Sequence, residues 1–225
     1  MIKKGMITLK EKYDKKDLNT LPRVHFQGRI FTILTAQEAD KAVDYLMSAP
    51  ILGIDTETRP TFHRGQAHLV ALLQISTENT AFLFRLNHIG LPPSLIRLLE
   101  DRTITKVGLS LHDDFLMLKR RHNFTPGHFI ELQHEAKELG IADMSLQKLY
   151  ANLYGEKISK SQQLSNWEAD VLSDAQKLYA ATDAWACIKI YNKILELKHS
   201  GDYTLLKAKV SNPVSDNSFP SSFPE

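Results

Sequence analysis

Ile51-Leu52-Gly53-Ile54-Asp55-Thr56-Glu57 is an apolar run that ends in two carboxylates. The run suits a buried strand, set off upstream by Pro50. On a strand, residues i and i+2 share a face, so Asp55 and Glu57 aim together while Ile54 and Thr56 aim the other way. Two carboxylates so close repel, and the pair holds a proton or a cation. Hard divalent cations such as Mg²⁺ prefer oxygen donors of this kind. A solvated strand end with two ordinary acids carries the same pattern, so the pair needs company from elsewhere in the chain.

The flanking sequence supplies a scaffold. Arg29 to Leu34 is strand-like. Thr35 and Glu38 can form a capping box for a helix running to about Ser48, with Ala42, Val43, Leu46 and Met47 on one face. Leu69 to Ser76 and Ala81 to Leu86 read as an antiparallel hairpin around Thr77-Glu78-Asn79-Thr80. A short helix over Leu95 to Leu99, a strand over Thr105 to Leu109, a helix over Phe115 to His122 and a short strand over Phe129 to Leu132 follow. From Ala136 the signal is helical. Met144 to Leu153 is one helix, and Ser173 opens another to about Leu197, striped by Leu178, Ala181, Ala184, Trp185, Ile188 and Tyr191. Strands first, then mixed elements, then helices point to an α+β domain or an α/β domain with a mixed sheet. Residues 1–22 are lysine-rich and lack an apolar period; they read as a solvated basic arm, or one that touches phosphates. The domain proper spans 23–205. Residues 206–225, rich in Ser and Pro, read as a disordered tail.

Two further acidic sites follow strand-like or helical runs. Asp114 closes Val107-Gly108-Leu109-Ser110-Leu111-His112-Asp113-Asp114. Locally it could be a helix N-cap, a role open to Asp113 as well. Tyr179 and Asp183, four apart on a helix, share a face. As an isolated pair they read as a surface contact. Ala180, Ala181, Ala184 and Ala186 around them permit close helix–sheet packing, which would carry Asp183 toward the strand carboxylates.

At 225 residues the chain is long enough for one domain with a sizeable core. The 43% hydrophobic and 24% charged content is that of a soluble globular protein. Net charge is only +2, so any polyanion partner must be met by local patches. Cys187 is the sole cysteine, which excludes an internal disulfide and agrees with a reducing, cytoplasmic setting. No apolar run approaches the ~18 residues of a membrane span. Nothing points to a protein partner.

Taken together, the acidic pieces resemble the three motifs of the DEDDy 3′–5′ exonucleases, in the RNase D-like branch. Asp55-Thr56-Glu57 is similar to the first motif. Val107 to Leu118 resembles the second and places its aspartate on Asp114. Tyr179-x-x-x-Asp183 resembles the third. Leu72 to Ser76 and Ser165-Asn166-Trp167 are smaller matches. The resemblance covers about 29–197 and implies a ribonuclease H-like mixed β-sheet flanked by α-helices. It implies hydrolysis from the 3′ end to nucleoside 5′-monophosphates with two ions, Mg²⁺ or Mn²⁺. Asp55 would bridge both ions, Glu57 and Asp183 would complete the first, Asp114 would hold the second, and Tyr179 would orient the attacking water.

The substrate would be a single-stranded or frayed 3′ end of DNA or RNA. Lys106, Lys119, Arg120, Arg121, Lys157 and Lys160 are candidate phosphate contacts, although a solvated face is the plainer reading of each. Trp167 could stack on a base, or be buried near a helix end. His134-Glu135-Ala136-Lys137-Glu138 lacks the second histidine of a zinc-protease helix. Gly108-Leu109-Ser110-Leu111-His112 lacks the last glycine of a nucleophile elbow. A non-catalytic nucleic-acid-binding protein on the same fold is the rival reading. It would be favoured by a lost acid, and none is lost.

Overall fold

The computed structural model describes residues 5–62 and 67–208. Strand β1 (Ile7–Lys10) and helix α1 (Lys15–Thr20) lead into β2 (Arg29–Ile33) and α2 (Ala36–Leu46). Next come β3 (Ile51–Thr58), β4 (Val70–Ser76), β5 (Thr80–Arg85), α3 (Leu86–Ile89), α4 (Pro93–Glu100) and β6 (Thr105–Gly108). Then follow α5 (Leu111–Lys119), β7 (Phe129–Glu131), α6 (Leu132–Glu138), α7 (Leu146–Tyr154), α8 (Asp174–Ser200) and β8 (Tyr203–Leu206).

Six strands form one sheet in the order β2-β5-β4-β3-β6-β7. β4 runs antiparallel to β3 and β5, and the remaining pairings are parallel. The expected hairpin is therefore β4–β5, and the fold is a mixed sheet flanked by helices. Side-chain alternation on β3 divides the core. Ile54 packs with Leu73, Ile75 and Phe84 against α2, α4 and α5. Leu72 and Leu83 of the opposite face meet Ala180 and Trp167. Thr35 and Glu38 make the expected capping box on α2, and Ser173 with Gln176 makes a second one on α8.

Small residues bring α8 down onto the sheet. A Cβ built on Gly53 would stand 1.9 Å from the carbonyl oxygen of Ala184, so the strand and helix backbones touch where a side chain would hold them apart.

The segment expected as a solvated arm is structured from Ile7 onward. β1 pairs in parallel with β8, and Leu9 is fully buried. Asn152 of α7 clamps Lys10, accepting from its N–H at 2.9 Å and donating to its carbonyl at 2.7 Å. Asp14 caps α1, and Leu18 is buried. Three spaced apolar residues among solvated lysines suffice to dock the segment, too few to register as a period. β8 likewise runs to Leu206, across the expected domain edge at 205. The tail from 209 lies outside the described residues. Among the described residues, no helix is long and apolar enough to cross a membrane.

Candidate active site

Asp55 and Glu57 project from β3 toward α8, and Asp183 projects from α8 toward them. The three each offer a carboxylate oxygen, and these oxygens lie within 4.8 Å of one another. They line a cavity of about 320 Å³ that also takes in Tyr179, Lys160 and Leu109. Tyr179 lies one helical turn before Asp183, near enough for its hydroxyl to hold that carboxyl's pKa down. On the neighbouring strand, Gln74 sits directly across from Asp55. Its side-chain nitrogen donates to Asp55 Oδ2 at 3.3 Å, while its buried Oε1 has no partner.

Asp114 stands just outside the trio. Thr56, which points away from Asp55 and Glu57, donates its hydroxyl to Asp114 Oδ1 at 2.6 Å. The β3 strand thus aims two carboxylates to one side and grips a third from the other. Neither Asp113 nor Asp114 is the N-cap. α5 begins four residues earlier than the sequence suggests, at Leu111, and Asp114 falls in its first turn. The cap position is Ser110, at φ 63° and ψ 32°, with no side-chain cap bond of its own. Left-handed backbone costs a non-glycine residue about 1–2 kcal/mol. The amides that Ser110 leaves uncapped find a carboxylate elsewhere: Glu131 accepts from Ser110 N–H at 3.1 Å and Leu111 N–H at 2.8 Å.

Burial raises all four acids, and repulsion from neighbouring carboxylates adds to it at Asp55, Glu57 and Asp114. Asp55 is pushed well above the ordinary carboxylate range, first by burial and then by Glu57, Asp114 and Asp183. Glu57 rises to about 9 through burial, Asp183 and Asp114. Asp183 rises to about 7 through burial, held back by the Tyr179 hydroxyl and by Lys160. Asp114 rises to about 6 through burial, against the pull of the Thr56 hydrogen bond. The Tyr179 phenol is driven upward by burial and by the same acids. Without a cation, such a cluster keeps protons at neutral pH. The donor set is all carboxylate oxygen, half to fully buried, which fits a hard divalent cation.

The expected nucleic-acid contacts divide. Lys160 is exposed on the cavity rim. Lys119 and Arg120 are exposed at the far end of α5 and do not line the cavity. Lys106 is a correction. It is fully buried, and its ammonium donates to the carbonyls of Asp101 at 2.7 Å and Ile104 at 3.0 Å, with its pKa lowered to about 8 by desolvation. A cation spent on two backbone carbonyls under the sheet has no phosphate to meet. Trp167 is a second correction: it is fully buried, its ring centroid 5.9 Å from that of Tyr179, so it buttresses that tyrosine and offers no face to a base. Arg121 donates to the Val70 carbonyl and Lys157 to that of Asn19. Sequence reasoning missed Thr56, Gln74 and Glu131. Gln74 had a signal, as an amide within the otherwise apolar run Val70 to Ile75.

The mixed sheet order and the convergence of three acids and a tyrosine on its central strand define a nuclease of the ribonuclease H-like fold. A family model described as 3′–5′ exonuclease matches residues 30–197, and the chain belongs to that family. It is 30% identical over 207 residues to the mouse bifunctional 3′–5′ exonuclease/ATP-dependent helicase WRN. That match takes in 87% of this chain and 15% of the mouse protein. A 3′–5′ exonuclease of Arabidopsis thaliana is 31% identical over 192 residues, covering 78% of this chain and 67% of that protein. The structure of Escherichia coli RNase D superposes with a TM-score of 0.69 at 23% identity, over 77% of this chain and 46% of that one. The likeness extends the RNase D-like resemblance to the fold.

Proposed function

We propose that this 3′–5′ exonuclease removes nucleoside 5′-monophosphates one at a time from a single-stranded or frayed 3′ end, using two divalent ions. The observation that carries the reading is the converging trio Asp55, Glu57 and Asp183, with Tyr179 one helical turn away from Asp183. Asp55, Glu57 and Asp183 would hold one Mg²⁺ or Mn²⁺, and Asp114 together with Asp55 the other. When bound, the ions would lower the pKa of the attacking water and offset charge on the leaving 3′ oxygen.

The remaining work falls to side chains. Tyr179 keeps its proton at any working pH, because burial drives its pKa upward. It therefore acts as an orienting hydrogen-bond partner for water and not as the base. Asp183, one turn on, would accept from the phenol and fix its direction. Lys160 on the rim offers a cation to the phosphate, and Leu109 and Ile158 give an apolar wall for the terminal nucleoside. Water oxygen bonds to phosphorus and releases a proton to solvent, the P–O3′ bond breaks, and the departing 3′ oxygen takes up a proton from solvent.

RNase D is described as an exoribonuclease involved in structured RNA processing, which makes RNA a substrate to test beside DNA. The test is a time course on 3′- and 5′-labelled DNA, single-stranded and recessed, and matched RNA, with Mg²⁺, Mn²⁺ or chelator. A cation-dependent ladder shortening from the 3′ end supports the reading and ranks the two sugars. Binding without cleavage in either cation overturns it.

A further inference from the structure

Glu131 is the last residue of β7, in parallel register with Gly108 of β6. Its carboxylate reaches across the β6–α5 turn and takes three backbone N–H groups. Oε1 accepts from Ser110 and from Gln133, each at 3.1 Å, and Oε2 accepts from Leu111 at 2.8 Å. One side chain thus caps the starts of two helices, α5 and α6. An N-cap is ordinarily local, supplied from within the same turn. Here the cap of α5 comes from a residue 20 positions away.

The turn it secures is the one with left-handed backbone. Ser110 is the one non-glycine residue with positive φ among the described residues. Gln133 adds a second tie, donating to Ser110 Oγ and to the Met144 carbonyl, both at 3.1 Å. Met144 lines the catalytic cavity. The first turn of α5 then hangs from this anchor, with the amides of Asp113 and Asp114 donating to the Ser110 carbonyl at 3.1 and 3.4 Å. Among the described residues, the side chain of Asp114 has one hydrogen-bond partner, the hydroxyl of Thr56. Glu131 itself does not belong to the group of acids whose oxygens converge.

We propose that Glu131 is the positioning residue for Asp114: it pins the left-handed turn at Ser110, fixes where α5 starts, and thereby sets the affinity of the ion that Asp114 holds. The inference rests on the two-ion reading above. The trio on β3 and α8 does not hang from this turn, so the ion at Asp55, Glu57 and Asp183 would feel Glu131 only through the shared Asp55.

The experiment is a titration of the metal-free chain with Mn²⁺ in the presence of a nucleoside 5′-monophosphate. Heat and electron paramagnetic resonance are both read. The wild-type chain is expected to take up two ions. In Glu131→Ala, one ion weakens by about 10- to 100-fold, as when a ligand loses its support, and the other weakens clearly less. Glu131→Gln keeps Oε1 with its two bonds but sets an amide against Leu111 N–H, so it falls between the two and serves where the alanine variant does not fold. Thr35→Ala, which removes the cap of α2, lowers the melting temperature and leaves both ions alone. Two ions bound as in wild type by both Glu131 variants would overturn the inference, as would equal weakening of both ions. A wild-type chain that binds fewer than two ions overturns the two-ion reading and this inference with it.

Discussion

Helix α8 delivers Tyr179 and Asp183 from the second and third turns of 27 residues laid across the sheet, whereas α5 delivers Asp114 from the first turn of nine. Asp183 is 8% exposed and flanked by the buried alanines 180, 181, 184 and 186. Asp114 is half-buried, and its helix starts from a left-handed serine held by a distant carboxylate. One wall of the site is fixed by packing, the other by hydrogen bonds to a single turn. Packing shared over many side chains tolerates the loss of any one of them, while an anchor on a few polar contacts does not.

The sharpest way to break this contrast is to remove an acid from each wall. Asp55→Ala and Asp183→Asn are expected to cut hydrolysis by well over about 100-fold, beyond the usual effect of losing a supporting partner, with the fold intact by circular dichroism. Asp114→Asn should lose less, because Thr56 still holds its side chain. Equal losses on the two walls would erase the distinction.

Tyr179→Phe removes an orienting hydroxyl without removing a ligand. A fall in kcat on the order of 10² is expected, with Mn²⁺ affinity unchanged by calorimetry. Gly53→Ala tests the packed wall directly. Its Cβ would meet the Ala184 carbonyl at 1.9 Å, so α8 must lift. A destabilisation of about 1–3 kcal/mol is expected in denaturant titration, together with a loss of activity.

Glu57 and Asp183 supply a pH test. In the metal-free fold they keep protons up to about 9 and about 7, whereas unfolded they release them in the ordinary carboxylate range. The folded state then binds more protons than the unfolded one, so stability falls as pH rises from about 4 to about 9. The melting temperature of chelator-treated protein should drop across that window, and a divalent cation at the alkaline end should restore it. A flat profile would mean the acids are not buried together. The smallest effect is expected at the rim: Lys160→Ala should weaken nucleic-acid binding uniformly and reduce its salt slope by about one.

Much of the packed wall was legible because its signals are local. The alternation in Ile51 to Glu57, the hairpin around Thr77 to Thr80, the capping box at Thr35, the helix start at Ser173, and the small residues around Tyr179 and Asp183 each follow from neighbours in sequence. The hydrogen-bonded wall was not legible in the same way. Asp113 and Asp114 looked like caps because they are good capping residues near a helix start, yet the cap is Glu131, which only the β6–β7 register brings near. Lys106 read as a surface cation because nothing in Thr105-Lys106-Val107 announces the carbonyls of Asp101 and Ile104 beneath it. Trp167 carried two readings, and burial against Tyr179 selects one. The N-terminal segment read as an arm because its docking depends on Tyr203 to Leu206, at the other end of the described chain.

That last pairing has a consequence for the order of events in folding. Ile7 lies beside Tyr203 and Lys10 beside Leu206, so β1 and β8 cannot meet until nearly the whole intervening chain is gathered. Closing so long a loop early is entropically unrewarded, and contacts of this range form late. The two-stranded sheet should therefore assemble after the six-stranded one and open before it. Amide hydrogen exchange would then see β1 and β8 released together, as one unit, while β3 to β5 remain protected.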